Sequence, residues 1–177
     1  MKKMKKKGLY ENMSLKGIVD LYHFSRTDLG DETILDPESS TKNKSSWSKR
    51  EYMTSSFPRV FYYTDLSNVE QLIKSGSKAL YHTKVDSDKL LNLVDAMEKY
   101  KKDRDELKRT DKKAYEVMEA FLKTKFYPDN PNYIGAPDWT KMFQTCAKNY
   151  IGLYYMNGNI PMVNILVPLK VRRYANL

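Results

Sequence analysis

The sequence predicts one α+β domain with a mostly antiparallel or mixed sheet. Three observations lead to this prediction. Residues 60–64 form a β-prone run that leads into a short amphipathic segment. The dipeptide Asn157-Gly158 joins two apolar runs, as in a β-hairpin. Helical periodicity is concentrated in residues 95–125, so strands and helices do not alternate as they do in a doubly wound fold.

The N-terminal half contains two predicted strands separated by a long polar segment. Residues 17–25 are rich in apolar and aromatic side chains and predict the first strand, and residues 59–64 predict the second. The segment between them, residues 26–56, is expected to be a long loop with little regular structure. A helix is predicted over residues 67–75, with Gly76 as its left-handed C-terminal cap.

The C-terminal half combines a helical insertion with a hairpin. A third strand is expected at residues 78–85, and residues 89–94 predict either a helical turn or a strand. Residues 95–125 predict two helices or one long helix, with Thr110-Asp111 as a capping site between them. The remaining elements follow the prolines of residues 126–137: a helix at 138–148, hairpin strands at 150–156 and 160–167, and an edge segment at 168–174.

Charge is concentrated at the N-terminus. The chain has 177 residues, a net charge of +9 and a hydrophobic fraction of 41%, which is enough for a core. A flexible basic leader is expected at residues 1–16, and a single domain at residues 17–177. The leader carries Lys2, Lys3, Lys5, Lys6 and Lys7. These lysines suit either a solvated terminus or a weak, sequence-independent contact with nucleic acid.

The only cysteine, Cys146, excludes an intrachain disulfide and fits a reducing compartment. We expect it to be an inert buried thiol on a helix. The lysines are followed by Gly8-Leu9-Tyr10-Glu11-Asn12 and not by the apolar core of a signal peptide, so secretion is not expected. The apolar run at residues 160–167 is too short to span a bilayer, and no membrane association is expected.

Common catalytic signatures are missing from the sequence. Neither the phosphate-binding loop Gly-x-x-x-x-Gly-Lys-Ser/Thr nor the dinucleotide fingerprint Gly-x-Gly-x-x-Gly occurs. With His23, His82 and Cys146 as the only histidines and cysteine, a zinc site would need carboxylates at no recognisable spacing. No metal is therefore expected.

Two segments carry a resemblance to a known family. Tyr22-His23-Phe24-Ser25 resembles the first motif of ADP-ribosyltransferases of the histidine-tyrosine-glutamate type, where the pattern is Tyr-His-Gly-Ser. Residues 60–65, with the helix that follows, are similar to the second motif, in which an aromatic strand runs into a helix. The late strands at residues 150–155 and 163–168 resemble the end of small members carried by bacteriophages.

The resemblance implies a fold, a cofactor and roles for particular residues. It implies two small sheets that form a cleft for NAD, and transfer of ADP-ribose to a host macromolecule. In that cleft His23 would contact the ribose and Ser25 the nicotinamide amide. Tyr62 or Tyr63 would stack on the nicotinamide ring; since neighbours on a strand face opposite sides, only one of the two can line a cleft. Arg59 is a candidate for gripping a phosphate or carboxylate, or for pairing with an acidic residue.

The family's late glutamate has no counterpart in this sequence. Residues 150–177 contain no Glu, Asp or Gln, and Phe24 replaces the motif's glycine. Four residues are candidates to replace the acid: Glu51, Asp65, Glu70 and Asn159.

Three hypotheses follow. The first is an NAD-dependent ADP-ribosyltransferase of phage origin. The second is a non-enzymatic virion-associated or accessory protein, such as an adaptor, that keeps the fold and acts in the host cytoplasm or the phage particle. The third is a nucleic-acid binder that uses the lysines of the leader together with Tyr and Arg side chains elsewhere in the chain.

Overall fold

The computed structural model describes residues 15–42, 57–122, 125–126, 134–136 and 139–177. The strands in these ranges are β1 (Ile18–Ser25), β2 (Glu32–Leu35), β3 (Val60–Tyr63), β4 (Ala79–Asp86), β5 (Leu90–Asn92), β6 (Lys125–Phe126), β7 (Ile134–Ala136), β8 (Gly152–Asn157), β9 (Ile160–Ile165) and β10 (Leu169–Asn176). The helices there are α1 (Pro37–Lys42), α2 (Val69–Lys74), α3 (Leu93–Lys102), α4 (Arg104–Thr110), α5 (Lys112–Leu122) and α6 (Trp139–Cys146), with a 3-10 turn at Ser87–Lys89.

Most of the described strands belong to one mixed sheet of eight, in the order β2-β10-β4-β1-β3-β9-β8-β5. The ladder between β5 and β8 is parallel, and the other described ladders of this sheet are antiparallel. This arrangement confirms the predicted α+β class with a mixed sheet. The expected pair of small sheets around a cleft is not found among the described strands, where β6 and β7 form only a two-stranded ladder beside the large sheet.

The last strand was expected at an edge, and that prediction is wrong. β10 lies between β2 and β4, with Lys170 opposite Ile34 and Arg172 opposite His82. Its main chain pairs with β2 over residues 169–172 and with β4 over residues 172–176, so the two ladders overlap at Arg172. The chain pattern could not reveal this, because pairing partners more than 80 residues away leave no local signal.

The polar segment at residues 26–56 is more regular than predicted. β2 and α1 both lie within it, and Asp36 begins α1 by accepting a hydrogen bond from the Glu38 amide at 2.9 Å. β2 is short and has only one buried side chain, Leu35, so its sequence resembles that of a loop. Residues 43–56 of this segment lie outside the described residues, as do residues 1–14 of the leader.

A helical layer packs against the β5 and β8 end of the sheet. Three consecutive helices, α3 to α5, are separated by Asp103 and Asp111, each of which caps the helix that follows it at 3.0 Å. The predicted cap at Asp111 is thus confirmed, and the helical region begins at Leu93. The layer has its own core, which includes Leu107, Phe121 and Phe143. None of the described helices is long and apolar enough to cross a membrane.

Two predicted turns are confirmed. Gly76 has a φ of +95°, and the amides of Gly76 and Ser77 bond to the carbonyls of Ile73 and Leu72, as in a Schellman cap. The hairpin of β8 and β9 turns at Gly158 and Asn159, between the paired residues Asn157 and Ile160. Gly158 has a positive φ of 62° and Asn159 does not, which fits a type II′ turn.

Strand alternation gives the sheet two distinct faces. The inner face carries buried side chains that form one cluster: Val19, Leu21, Tyr62, Tyr81, Tyr154, Val163 and Val171. The outer face carries the alternate residues. Its Leu153 packs into the core of the helical layer. On β10, β4, β1 and β3 the outer face instead presents partly exposed aromatic and charged side chains, including Tyr22 and His82.

Candidate functional site

His23 lies on the inner face of β1 and is held by the main chain of β3. Its Nδ1 is 2.9 Å from the carbonyl oxygen of Phe61. A carbonyl oxygen only accepts, so Nδ1 carries a proton and donates it. Burial lowers the pKa of His23 below its ordinary value. The ring is therefore neutral at pH 7, with Nε2 as its acceptor atom.

Tyr62 stands beside His23 but is enclosed by the core. Its side chain is 0% exposed, and its ring centroid is 5.7 Å from that of His23. The Tyr62 hydroxyl is buried without a hydrogen-bond partner among the described residues, and burial raises its pKa strongly. A ring with no exposed surface cannot stack on a ligand, so this tyrosine is a core residue.

Ser25 closes a local turn at the end of β1. Its Oγ donates to the Thr27 carbonyl at 2.7 Å and accepts from the Thr27 amide at 3.1 Å. These two bonds reverse the chain after the strand. The Ser25 hydroxyl is thus engaged locally, on the same face as His23.

Tyr63 and Arg59 lie on the other side of the sheet. The Tyr63 ring meets Phe24 edge to face, with centroids 5.5 Å apart. The Arg59 guanidinium lies 5.2 Å from the Phe61 centroid and 4.9 Å from that of Phe143, against the helical layer. The sheet therefore separates these two predicted ligand contacts from His23.

Among the described residues, no hydrogen bond joins a candidate acid to His23. The Asp65 carboxylate accepts hydrogen bonds from the Ser67 amide at 3.0 Å and from the Ser67 hydroxyl at 2.5 Å, in the turn that precedes α2. Glu70 and Asn159 are exposed, on α2 and in the hairpin turn. Glu51 lies outside the described residues. Burial lowers the pKa of His23, and its hydrogen bond to the Phe61 carbonyl opposes that shift.

These positions do not fit NAD as the resemblance would place it. The aromatic residue beside His23, Tyr62, is sealed in the core. The accessible one, Tyr63, faces away. Among the described residues, Tyr62 offers no surface for stacking beside His23, and His23 bonds to a main-chain carbonyl and not to a carboxylate.

Sequence reasoning missed a cluster that ties residues 26–31 to the inner face. The Tyr81 hydroxyl accepts from the Leu29 amide at 2.8 Å and donates to the Gly30 carbonyl at 3.0 Å. Arg173 forms ion pairs with Asp28 and with Asp31, the latter at 3.2 Å. Side chains alternate along a strand, so Arg173 and its neighbour Arg172 face opposite sides of the sheet. The sequence alone could have indicated this.

A second missed feature is an aromatic cluster on the outer face. The rings of Tyr22, His82 and Tyr174 have centroid separations of 5.1, 5.5 and 5.7 Å. His82 Nε2 is 2.7 Å from the Asp20 carboxylate, and Lys84 lies 3.9 Å from the same carboxylate. Tyr174 is 55% exposed. The cluster spans three adjacent strands, β10, β4 and β1.

A pocket of 280 Å³ opens between the 3-10 turn, β5 and helices α3 to α5. Asp95, Lys99 and Asp111 contribute polar atoms to it, and Tyr150 lines it with a pKa raised to about 12, first by burial. Asp111 already caps α5, and Asp95 pairs with Lys99 at 2.8 Å. In the described part of the chain no group of three or more His, Cys, Asp or Glu side chains is placed to hold a metal ion.

Comparisons of the chain with models of protein families, with curated proteins and with solved structures find no match. The resemblance to ADP-ribosyltransferases therefore depends on the short motifs themselves.

Proposed function

We propose that the protein is a non-enzymatic accessory protein, an adaptor that keeps transferase-like strands and binds a host or phage macromolecule. The observation that carries this proposal is the complete burial of Tyr62 beside His23. In a transferase this position must be open, because the nicotinamide ring stacks there before it leaves.

The electrostatics support the same proposal. Departure of nicotinamide leaves positive charge on the ribose, which a nearby carboxylate has to stabilise. The strands from residue 150 onward carry no carboxylate. Asp65 accepts hydrogen bonds from Ser67 in a turn, and these bonds would compete with stabilisation of the positive charge on the ribose.

The histidine itself has a structural role that accounts for its presence. Its Nδ1 donates to the Phe61 carbonyl, so it joins β1 to β3 where the described register contains only one pair, Tyr22 with Tyr63. A side chain that bridges two strands by a hydrogen bond stabilises the fold, so His23 needs no catalytic role to account for its presence.

The test measures transfer and binding of NAD separately. Labelled NAD is incubated with bacterial lysate and the wild-type protein, with His23→Ala, or with the matched variant His82→Ala. An established ADP-ribosyltransferase serves as the positive control. Calorimetric titration with NAD is run on the same three proteins. We expect no label transfer and no heat of binding from any of them.

The proposal is overturned if the wild type labels a macromolecule, or binds NAD, and His23→Ala loses that property while His82→Ala keeps it. Circular dichroism of each variant establishes that the change is not due to unfolding.

A further inference from the structure

We infer that the outer face of β10, β4, β1 and β3 binds single-stranded nucleic acid, whose bases stack on its aromatic rings. This inference rests on the proposed function, because it names the class of partner that the adaptor holds.

The rings form two groups on four neighbouring strands, and Tyr22 of one group is the register partner of Tyr63 of the other. Tyr174 on β10 meets Tyr22 edge to face at 5.5 Å, and His82 on β4 lies between these strands at 5.1 Å from Tyr22. Phe24 and Tyr63 form the second group, which reaches β3, with another edge-to-face contact of 5.5 Å. Edge-to-face contacts leave one face of a ring available, which is the surface that a base uses for stacking.

The exposure of these rings is unusual for a sheet face. Tyr174 is 55% exposed and Phe61, on the same face of β3, is 42% exposed. Ile18 and Ile34 are also exposed there. Large exposed apolar side chains that lie on one face can mark an interaction site in a soluble protein. A sheet that presents aromatic rings on its central strands is suited to hold two or three unpaired bases.

Cations border the rings and suit a polyanion. Lys84, Lys170 and Arg172 project from β4 and β10 with side chains that are 63, 67 and 79% exposed. Each contacts a carboxylate, Asp20 or Glu32, in pairs that are open to solvent. Ion pairs this exposed are weak, so phosphate groups can replace the carboxylates. The net charge of +9 on the whole chain acts in the same direction.

The shape favours single strands over duplexes. The major groove of an undistorted duplex admits an α-helix or a two-stranded ribbon, which is narrower than this four-stranded face, and the bases of a duplex present only their edges. Unpaired bases expose the ring faces that Tyr22 and Tyr174 can stack on, and every base has such a face. Binding is therefore expected to tolerate different sequences.

The experiment is a fluorescence anisotropy titration of the full chain with labelled oligothymidylate of about 15 nucleotides, at about 50 and about 200 mM salt. Tyr174→Ala removes the most exposed ring of the two groups. We expect it to weaken binding by about 5- to 100-fold, the loss of one stacked base. Tyr115→Ala is the matched control, since this tyrosine lies in the helical layer with Lys108 5.6 Å from its ring centroid. It should bind as the wild type does.

Two further variants distinguish the contribution of the aromatic rings to binding from that of the positive charges. Tyr174→Phe should retain most of the affinity, because it keeps the stacking surface. Arg172→Gln should weaken binding and lower the salt dependence by about one phosphate contact. Thermal unfolding of each variant establishes that the fold is intact.

The inference is overturned if Tyr174→Ala and Tyr22→Ala bind as the wild type does while replacement of the leader lysines by serine abolishes binding. It is also overturned if the oligonucleotide does not bind at the lower salt, or if an equimolar duplex competes equally well. In these cases a protein partner would have to be sought for the same face. Failure here leaves the NAD assays unaffected, and they alone decide whether the protein is non-enzymatic.

Discussion

The two faces of the sheet use the same residue type for opposite purposes. On the inner face Tyr62 and Tyr81 are completely buried, while on the outer face Tyr22 is half-buried and Tyr174 is mostly exposed. The motifs that resemble a transferase draw residues from both faces, because consecutive strand residues alternate. The comparison teaches that a motif along one strand describes two environments, and that only one of them can form a site.

The largest expected difference between the faces is in stability. Tyr62→Ala removes a fully buried ring, and we expect it to lower the free energy of unfolding by about 3–5 kcal/mol. Tyr174→Ala removes a ring of the exposed face and should cost less than about 1 kcal/mol. Urea denaturation of both variants measures the contrast. Similar losses in the two variants would show that the outer face is covered in solution.

Tyr62 and Tyr81, both fully buried on the inner face, form a matched pair of their own. Tyr81→Phe leaves the Leu29 amide and the Gly30 carbonyl without their hydroxyl partner, and should cost about 1–3 kcal/mol. Tyr62→Phe removes a buried hydroxyl that has no partner among the described residues, and should be neutral or stabilising. Denaturation midpoints decide the order; a larger loss in Tyr62→Phe would contradict it.

His23 on the inner face is expected to make the free energy of unfolding depend on pH. Burial lowers the pKa of His23 below 6.5, so the unfolded chain takes up a proton at a higher pH than the folded chain. The free energy of unfolding should therefore fall as the pH drops below about 6.5, by at most about 1.4 kcal/mol per pH unit from this group.

His23→Gln is the matched variant, since its amide can still donate to the Phe61 carbonyl. It should lose the part of the acid-induced decline that His23 causes, while residual declines from other groups remain. Unfolding at pH 7.5 and 5.5 measures both proteins. An identical decline in the two would exclude His23 as its source.

The smallest expected effect concerns an apolar residue of the outer face. Ile34 is 62% exposed on β2, and Ile34→Thr keeps the β-branched shape. We expect a change in unfolding free energy within about 0.5 kcal/mol. A clearly larger loss by thermal denaturation would mean that Ile34 is buried by a partner or a second copy.

Much of the local structure could be predicted from the sequence, because its signals are local. The apolar and aromatic run around Leu21, the Gly76 cap and the turn at Gly158 each depend on neighbouring residues only. The strand β2 was missed because one buried residue, Leu35, does not establish a period. The position of β10 depends on pairing across the whole chain.

The candidate site was harder to predict than the fold. Alternation correctly separates Tyr62 from Tyr63, but it does not say which face becomes the core. That choice follows from contacts between strands that are distant in the sequence, such as those that bury Tyr62, Tyr81 and Val171 in one cluster. Tyr81 and Arg173 were overlooked because their partners come from residues 28–31, a segment that the sequence predicts only as a loop.

The central placement of β10 has a consequence for how the chain is made. On the ribosome β2 is synthesised well before its partner, since the described strand that pairs with it ends about 140 residues later, at Asn176. Until then β4 has one unpaired edge, which is a surface for misassociation between nascent chains. Vectorial folding of this sheet therefore cannot finish before its last strand emerges, and a premature stop in β10 would release a protein with an open sheet edge.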